Sequence, residues 1–463
     1  MSTALVLIAF AICIFMMIIL IAKAKMHAVS GLLLSVMTLA ILLAIFTNTG
    51  MVNLVNANGE SINNLFAFDR IEGTINTGFA NTIRSIAVLI VLGCILGKIM
   101  EETGAAKAIT LFIVKIVGQK NVIWAIGISA FILGIPIFSD TVTIMLIPIV
   151  SNLAIQTGGS MMAYGTALAV GAQVTHAIVP PTPGPAAAAA LLGVPLGQAI
   201  MWGLLVSIPG LIPLILFAKF GCKEHVAPAQ SRIDAYNKAK DEQLPSTFTS
   251  FMPILLPLVL IFANSIIQIV ARGTFIAQFF GFIGSPIAAL LAGCMYAMVL
   301  TGPRWKTKEV LNDWVEASCR DAAMPLVVTG LGGALALFIQ NAQIATLIAN
   351  GFVAAGIPGI VLPIVLSVLI HVITGSTTLA VLTAAALVNP MMDILGISNL
   401  AAFLAVCSAG LMFKHGNSSA FWVGTSLSNM TFTQGLKGIG GGCTVASIGC
   451  CLATVILWAA GVV

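Results

Sequence analysis

The sequence predicts an all-α polytopic membrane protein with about 12 transmembrane helices in two repeats, interrupted by broken helices or re-entrant hairpins. Only 8% of its 463 residues are charged, 59% are hydrophobic, and the mean hydropathy is +1.10. A soluble domain carries about 25% charged residues, so soluble enzymes, disordered chains and nucleic-acid-binding proteins are excluded. A helix needs about 20 apolar residues to cross a bilayer, and the length therefore allows roughly a dozen spans.

The first elements alternate between apolar runs and polar connections. Residues 2–22 form an apolar run that we interpret as a retained first span, because no positive charge precedes it and Lys23 and Lys25 follow it. These lysines predict a cytoplasmic end for this span. A second span is expected at residues 28–46, and the polar, charge-balanced loop at residues 47–81 suits the outer face.

A polar segment at residues 219–243 divides the chain into halves of similar size, and we expect it to be cytoplasmic. A shift of 239 residues places Gly171 on Gly410 and His176 on His415, which predicts an internal repeat. An odd number of crossings in each half would make the repeat inverted. The predicted division is 1–82 (first spans and outer loop), 83–218 (first transport repeat), 219–247 (central loop) and 248–463 (second transport repeat).

Two long stretches of the chain are almost free of charge. Between residues 121 and 218 the only Asp, Glu, Lys or Arg is Asp140, and between residues 322 and 413 the only one is Asp393. An ionisable group at membrane depth costs roughly 3 kcal/mol on insertion scales, so it is retained where it faces a water-filled cavity or a partner. Asp393 follows Asn389-Pro390 and is predicted to be a loop residue.

Asp140 lies in the sequence G-I-P-I-F-S-D-T-V-T at residues 134–143. Gly134 and Pro136 would break a helix there and free backbone groups that need other partners. Broken helices at membrane depth are tolerated where they line a cavity. The alternative is that Asp140 lies in a short surface loop.

His176 begins the sequence H-A-I-V-P-P-T-P-G-P at residues 176–185. Its four prolines exclude a regular helix and leave carbonyl groups with few amide donors. An irregular segment between apolar stretches is expensive in a membrane unless it binds something, so we predict a binding segment; a simple inter-helix turn is the alternative.

The second half has two polar clusters next to apolar stretches. The sequence T-G-S-T-T at residues 374–378 supplies hydroxyl groups, which suit a carboxylate or hydroxyl ligand when they lie at a helix start; packing by small residues is the alternative. The second cluster is K-H-G-N-S-S at residues 414–419. Lys414 could oppose an anionic substrate or extend to the membrane surface.

Together these motifs resemble the gluconate permease family of bacterial proton symporters. The resemblance is carried by five sequences: G-C-I-L-G-K-I-M-E-E-T-G from Gly93, G-I-P-I-F-S-D from Gly134, H-A-I-V-P-P-T-P-G-P from His176, G-S-T-T from Gly375 and H-G-N-S-S-A-F-W from His415. It implies a multi-pass inner-membrane carrier with two repeats and re-entrant hairpins. Members of the family carry gluconate and related small hydroxy acids, and some carry D-serine.

Three positions depart from the family's usual pattern. Relatives usually have glutamate at the position of Asp140, a second histidine at that of Thr182, and an Asn-Asp pair at Asn417 and Ser418. These changes shorten or remove polar groups close to the expected site. They bear on gluconate as the substrate more than on transport itself.

The sequence therefore predicts proton-coupled symport of a small organic anion such as gluconate or another hydroxycarboxylate. Asp140 or His176 would carry the proton, because burial favours a neutral carboxyl group and histidine titrates near neutral pH. Residues 374–378 and 417–419 would bind the substrate's oxygens while the two halves rock about a midplane site. The predicted site residues are Ser139, Asp140, Thr141, His176, Thr182, Gly184, Gly375, Ser376, Thr377, Thr378, His415, Asn417 and Ser418.

Three alternatives remain open at this stage. A sodium-coupled carrier of carboxylates or D-serine-like amino acids is one, since hydroxyl and carbonyl oxygens also suit Na⁺. A channel is the second. A membrane-embedded enzyme is the third and is disfavoured, because no H-E-x-x-H sequence occurs and the histidines are far apart in the chain. No cofactor, metal or nucleic acid is predicted; the expected partners are the lipid bilayer and the organic anion, with a homodimer left open.

Overall fold

A computed structural model describes residues 2–20, 24, 26–55, 61–239, 243–416 and 418–463, and these are almost entirely helical. In the first half the helices are α1 (Ser2–Ile18), α2 (Ala28–Asn48), α3 (Ile71–Glu102), α4 (Ala105–Val117), α5 (Val122–Leu133), α6 (Ser139–Thr157), α7 (Met161–Ile178), α8 (Pro183–Leu191), α9 (Leu196–Phe220) and α10 (Gln230–Ala239). In the second half they are α11 (Thr247–Val270), α12 (Phe275–Ile283), α13 (Pro286–Ala297), α14 (Trp314–Asn341), α15 (Ile344–Ala354), α16 (Val361–Thr374), α17 (Thr377–Val388), α18 (Met392–Leu395), α19 (Asn399–Ala409), α20 (Ser419–Leu427), α21 (Phe432–Gly435) and α22 (Gly441–Ala459).

The prediction of a helical membrane protein is confirmed, but the count of about 12 spans is not. Within the described ranges nine helices are long and apolar enough to cross a bilayer, or ten if the halves of α3, bent by 48°, count as one span. The helices α5, α16 and α19 have 12, 14 and 11 residues, fewer than the roughly 20 that a crossing needs.

Several predicted boundaries shift in the structure. The second span ends at Asn48, two residues later than expected, and the polar loop ends earlier because α3 begins at Ile71. The central polar segment contains a short helix, α10, and Asp393 is exposed in the first turn of α18 rather than in a loop. Lys23 and Lys25 lie outside the described residues. The domain limits remain predictions.

The 239-residue shift relates helices of the two halves. It carries the start of α4 onto the start of α15, the start of α5 onto the start of α16, and the end of α3 onto the end of α14. The starts of α6, α7 and α8 fall within one to three residues of those of α17, α19 and α20. Both halves thus have the same order of long helices, short helices and breaks.

Corresponding helices run in opposite directions. Near the start of α3, Gly78 lies against the backbone of Gly333 and Ala334 in the last part of α14. Near the end of α3, Cys94 instead lies close to Cys319, in the first part of α14. The pair α3–α14 is therefore antiparallel, and the two halves form an inverted repeat.

The polar connections lie on two opposite faces of the bundle. On one face the Gln343 side chain donates a hydrogen bond to the carbonyl of Val55, in the loop that follows α2. On the other face Gly104, after the end of α3, lies against Leu244 of the central segment. Since α2 crosses the bundle once, its first residues lie on the face of the central segment. This arrangement fits the expected outer loop and cytoplasmic central segment.

The breaks that shape the site follow from local sequence. After α5, Gly134 and Pro136 interrupt the helix, and α6 begins at Ser139. After α16, Gly375 adopts a left-handed conformation with φ of 70°, which only glycine adopts without cost. Ser376 then caps α17 by accepting a hydrogen bond from the amide of Leu379 at 3.3 Å. Each break therefore places a helix N-terminus inside the bundle.

Candidate functional site

A cavity of about 890 Å³ lies where the helix breaks of the two halves meet. Its wall includes the starts of α6, α17 and α20 and the last turns of α7. The exposed residue His27, just before α2, lies at its rim, so the cavity reaches the face of the central segment. The lining residues are Met26, His27, Phe138, Ser139, Asp140, Gln173, His176, Met324, Ile373, Thr374, Gly375, Ser376, Thr377, Thr378, Lys414, Gly416, Ser418, Ser419, Ala420 and Trp422.

Asp140 supplies the negative charge of the cavity. It is half-buried in the first turn of α6, where the positive end of the helix dipole favours a carboxylate. The Ser419 hydroxyl, at the start of α20, donates a hydrogen bond to it. The break before α6 packs tightly on α7, because a Cβ atom added to Gly134 would lie 2.4 Å from the carbonyl oxygen of Ala172. The first half thus holds its acid at a fixed place in the wall.

Lys414 supplies the positive charge of the same cavity. Its side chain is only 3% exposed. Its Nζ donates hydrogen bonds to Oγ1 of Thr377 at 3.1 Å and to Oγ of Ser418 at 3.2 Å. The lysine therefore joins the starts of two helices, α17 and α20. Of the two alternatives for Lys414, the geometry favours a cation that opposes an anionic substrate, because the side chain lies in the cavity wall and does not extend to the membrane surface.

His176 lies in the last turn of α7 and lines the cavity. Its Nδ1 atom is buried and has no hydrogen-bond partner among the described residues. Its ring packs against that of Phe138, with centroids 5.5 Å apart. The Thr182 hydroxyl stabilises the segment that follows by donating to the carbonyls of His176, at 2.9 Å, and Val179, at 2.7 Å. These carbonyls cannot be satisfied by the prolines that follow.

Two histidines hold the breaks of the second half together. His371 in α16 contacts the carbonyl of Met412 through Nδ1 at 2.8 Å, and His415 contacts the carbonyl of Val372 through Nε2 at 3.0 Å. A carbonyl oxygen only accepts, so each of these ring nitrogens carries the proton and donates. The two reciprocal bonds tie α16 to the segment after α19, next to Lys414.

The structure brings together eight of the thirteen predicted site residues. Those that line the cavity are Ser139, Asp140, His176, Gly375, Ser376, Thr377, Thr378 and Ser418. Asn417 lies outside the described residues. A role in binding substrate remains a prediction for all of these positions.

Four predicted residues do not line the cavity, namely Thr141, Thr182, Gly184 and His415. Thr141 follows Asp140 on a helix, so its side chain is rotated by about 100°. Thr182 and His415 use their polar atoms on carbonyl groups. Gly184 packs against α17, where a Cβ atom would lie 3.3 Å from Cα of Thr378. Thr182, Gly184 and His415 thus join the segments around the cavity by hydrogen bonds and packing.

Sequence reasoning did not select Lys414, Gln173 or Trp422 as site residues, although all three line the cavity, as does Ser419 of the predicted 417–419 segment. The sequence could have indicated Lys414 as a site residue, because it is the first cation after a charge-poor stretch and lies next to a predicted helix break. Gln173 is 4% exposed and accepts a hydrogen bond from the Cys443 thiol at 3.6 Å. A single glutamine inside an apolar helix gives no indication of the direction it faces.

The chain is similar to known permeases over most of its length. A family model described as GntP family permease matches residues 5–461. An uncharacterized permease of Haemophilus influenzae is 29% identical over 429 residues, covering 89% of this chain and 83% of the relative. The high-affinity gluconate transporter of Escherichia coli is 26% identical over 410 residues, covering 87% and 93%.

Two solved structures share the fold. Neisseria gonorrhoeae MtrF, described as illuminating a class of antimetabolite efflux pumps, has a TM-score of 0.70 at 14% identity and covers 93% of this chain and 95% of its own. The Alcanivorax borkumensis YdaH transporter has a TM-score of 0.68 at 14% identity and covers 91% and 97%. At this identity the similarity concerns the fold alone.

Proposed function

Because this chain belongs to the GntP family of permeases, we propose that it is a proton-coupled symporter that carries a small organic anion such as gluconate. Family membership makes it a multi-pass transport protein of the bacterial inner membrane and not an enzyme. The proposal adds the substrate class, the coupling ion and the residues that act on each.

The observation that carries the proposal is one cavity with both charges in its wall. Lys414 and the starts of α6, α17 and α20 favour an anion, and the hydroxyls of Thr377 and Ser418 suit a substrate with several oxygens. The relatives named as gluconate transporters support a hydroxycarboxylate. A cavity of about 890 Å³ is within the range typical of small-molecule sites.

Asp140 is our first candidate for the coupling proton, and His176 is the second. A carboxylate that loses its water favours the protonated form, and a nearby negative substrate favours it further. His176 lines the same space, and its buried Nδ1 atom has no hydrogen-bond partner among the described residues, so the ring could pass a proton or accept one. Both residues belong to the first half, whereas the anion-binding groups belong mainly to the second.

Uptake of labelled gluconate into cells tests the proposal. We expect uptake to increase with an inward pH gradient, to be equal in sodium and choline buffers, and to fall at least tenfold in Asp140→Asn, with Asp140→Glu retaining proton-driven uptake as the matched control. His176→Ala should reduce uptake if this residue relays the proton. Full pH-dependent uptake by both Asp140→Asn and His176→Ala would remove these residues from the mechanism, and uptake that requires sodium would replace the proton as the coupling ion.

A further inference from the structure

Lys414 is a buried ammonium group whose hydrogen-bond partners among the described residues are both neutral. It is 3% exposed, and its two bonds go to the hydroxyls of Thr377 and Ser418. Within the described part of the chain no carboxylate forms an ion pair with it. A buried charge is strongly unfavourable unless a charge of opposite sign compensates it. Asp140 lines the same cavity, and its attraction to Lys414 is the compensation that the protein itself provides.

The hydrogen bond from Lys414 also changes the start of α20. Ser418 occupies the N-cap position of this helix, but its side chain caps no backbone amide. Its hydroxyl accepts from Lys414 instead. The N-cap Ser376 of α17, by contrast, accepts from the amide of Leu379. The first residues of α20, Ser419 and Ala420, line the cavity beside Lys414. The cavity wall therefore contains both the buried ammonium group of Lys414 and the N-terminus of α20, which has no side-chain cap.

We propose that Lys414 binds the carboxylate of the substrate. Its positive charge compensates either ionised Asp140 or the substrate, but not both, so a monocarboxylate binds together with one proton on Asp140. This inference rests on the proposed function, which it deepens by naming the residue that links the anion to the proton. A carboxylate bound to Lys414 would accept hydrogen bonds from the ammonium group and from the backbone amides at the start of α20.

The charges of the cavity explain why binding would require a proton. Ionised Asp140 and Lys414 sum to zero, and a monocarboxylate alone would leave one uncompensated negative charge in a space of low dielectric constant. When a proton from water adds to the Asp140 carboxylate, the sum returns to zero. The cation is then available to the substrate, and binding of each ligand favours the other by linkage.

Other titratable groups surround this pair. His176 on α7 lines the cavity with Asp140, and His27 lies at the rim. Near Lys414, His371 and His415 donate to the carbonyls of Met412 and Val372. The Cys443 thiol on α22 donates to Gln173. Both histidines near Lys414 use a ring nitrogen on a backbone carbonyl, and Asp140 is the carboxylate in the described wall of the cavity that competes for the lysine.

Binding of a monocarboxylate to purified protein in detergent tests the proposal without requiring transport. The probe is the ligand that raises the melting temperature of the wild type most among gluconate, glycerate and lactate. We expect its affinity to fall by up to about tenfold per pH unit as pH rises, the limit for one linked proton. Asp140→Asn should bind at least as tightly as the wild type at every pH, with the pH dependence lost. Lys414→Gln should bind at least tenfold more weakly.

Two controls separate the anchor from a structural role. Lys414→Arg keeps the charge and should bind within a few-fold of the wild type, and Lys437→Gln removes a surface cation and should bind normally. The proposal is wrong if Lys414→Gln binds like the wild type, if Asp140→Asn weakens binding as much as Lys414→Gln does, or if no probe binds. Sodium-driven uptake with this pattern of affinities intact would overturn proton transport, whereas proton-driven uptake with normal binding by Lys414→Gln would overturn the anchor alone.

Discussion

The two halves of the molecule share a backbone plan but carry different chemistry at corresponding positions. The 239-residue shift places Lys414 on Thr175 and Asp140 on Leu379, which follows Thr378, the second residue of α17 as Asp140 is the second residue of α6. Leu379 is 1% exposed, and Thr175 is buried and donates to the carbonyl of Phe131 at 2.7 Å. The repeat therefore builds two sets of helix breaks around one cavity, and the differing side chains give that cavity one acid from one half and one cation from the other.

The halves also differ in how their breaks pack on the long helices. In α3, a Cβ atom added to Gly97 would lie 3.1 Å from the carbonyl oxygen of Pro136, and one added to Gly93 would lie 3.6 Å from that of Pro181. The counterpart of Gly93 in α14 is Gly332, where such an atom would have no neighbour within 4 Å. The first-half breaks thus close against their long helix, and the space at the matching position of the second half is open.

The largest effect that we expect in a test of this packing comes from Gly134→Ala. The new methyl group would overlap the backbone of α7, with Ala172 oxygen 2.4 Å away, and overpacking of this kind typically costs about 1–3 kcal/mol. Thermal unfolding in detergent measures it. Gly332→Ala is the matched control and should leave the unfolding temperature unchanged or slightly raised, since alanine favours a helix. Equal losses in both variants would show that the two halves are packed alike.

His371→Ala tests the two-histidine connection of the second half. Removal of the ring leaves the Met412 carbonyl without its donor, and a buried polar group left unsatisfied costs about 1–3 kcal/mol. Thr175→Val removes the single bond to Phe131 from the first half and should cost about 1 kcal/mol. The comparison uses the free energy of unfolding of each variant in the same detergent. If Thr175→Val were the more damaging change, the first half would depend more strongly on its inter-helix bond.

The smallest effect is expected at the surface contact between the halves. Glu224 accepts hydrogen bonds from Lys437 at 2.8 Å and from Gln434 at 3.0 Å, and these contacts lower the pKa of its carboxyl group below the usual value. A lowered pKa in the folded state means that the contact stabilises at neutral pH and is lost as pH falls through that pKa. Glu224→Gln should therefore lower the unfolding temperature slightly at about pH 7, and the difference from the wild type should shrink as the pH is lowered below the usual carboxyl range. A larger effect at the acidic pH would contradict this assignment.

Much of the arrangement could be predicted from the sequence. The charge-poor stretches led to Asp140 and His176, and the glycines and prolines around them marked the breaks. The count of spans could not be predicted, because α5, α16 and α19 are as apolar as crossing helices and only their length in the fold reveals that they stop at breaks. The direction of a side chain could not be predicted either. Thr182 and Ser418 are both hydroxyl residues next to predicted helix breaks, yet the Thr182 hydroxyl donates to backbone carbonyls and the Ser418 hydroxyl accepts from Lys414.

The position of the polar groups has a consequence for the divergence of this family. The seam between α3 and α14 is made by close contacts of Gly78 and Gly333, whereas Asp140, Lys414 and Ser418 lie on breaks that face the cavity. If these three residues bind the substrate as proposed, a substitution at one of them changes the binding groups without changing the seam. Under that proposal, related permeases can change their transported substrate by single substitutions at the helix breaks, while the packing of α3 on α14 stays the same.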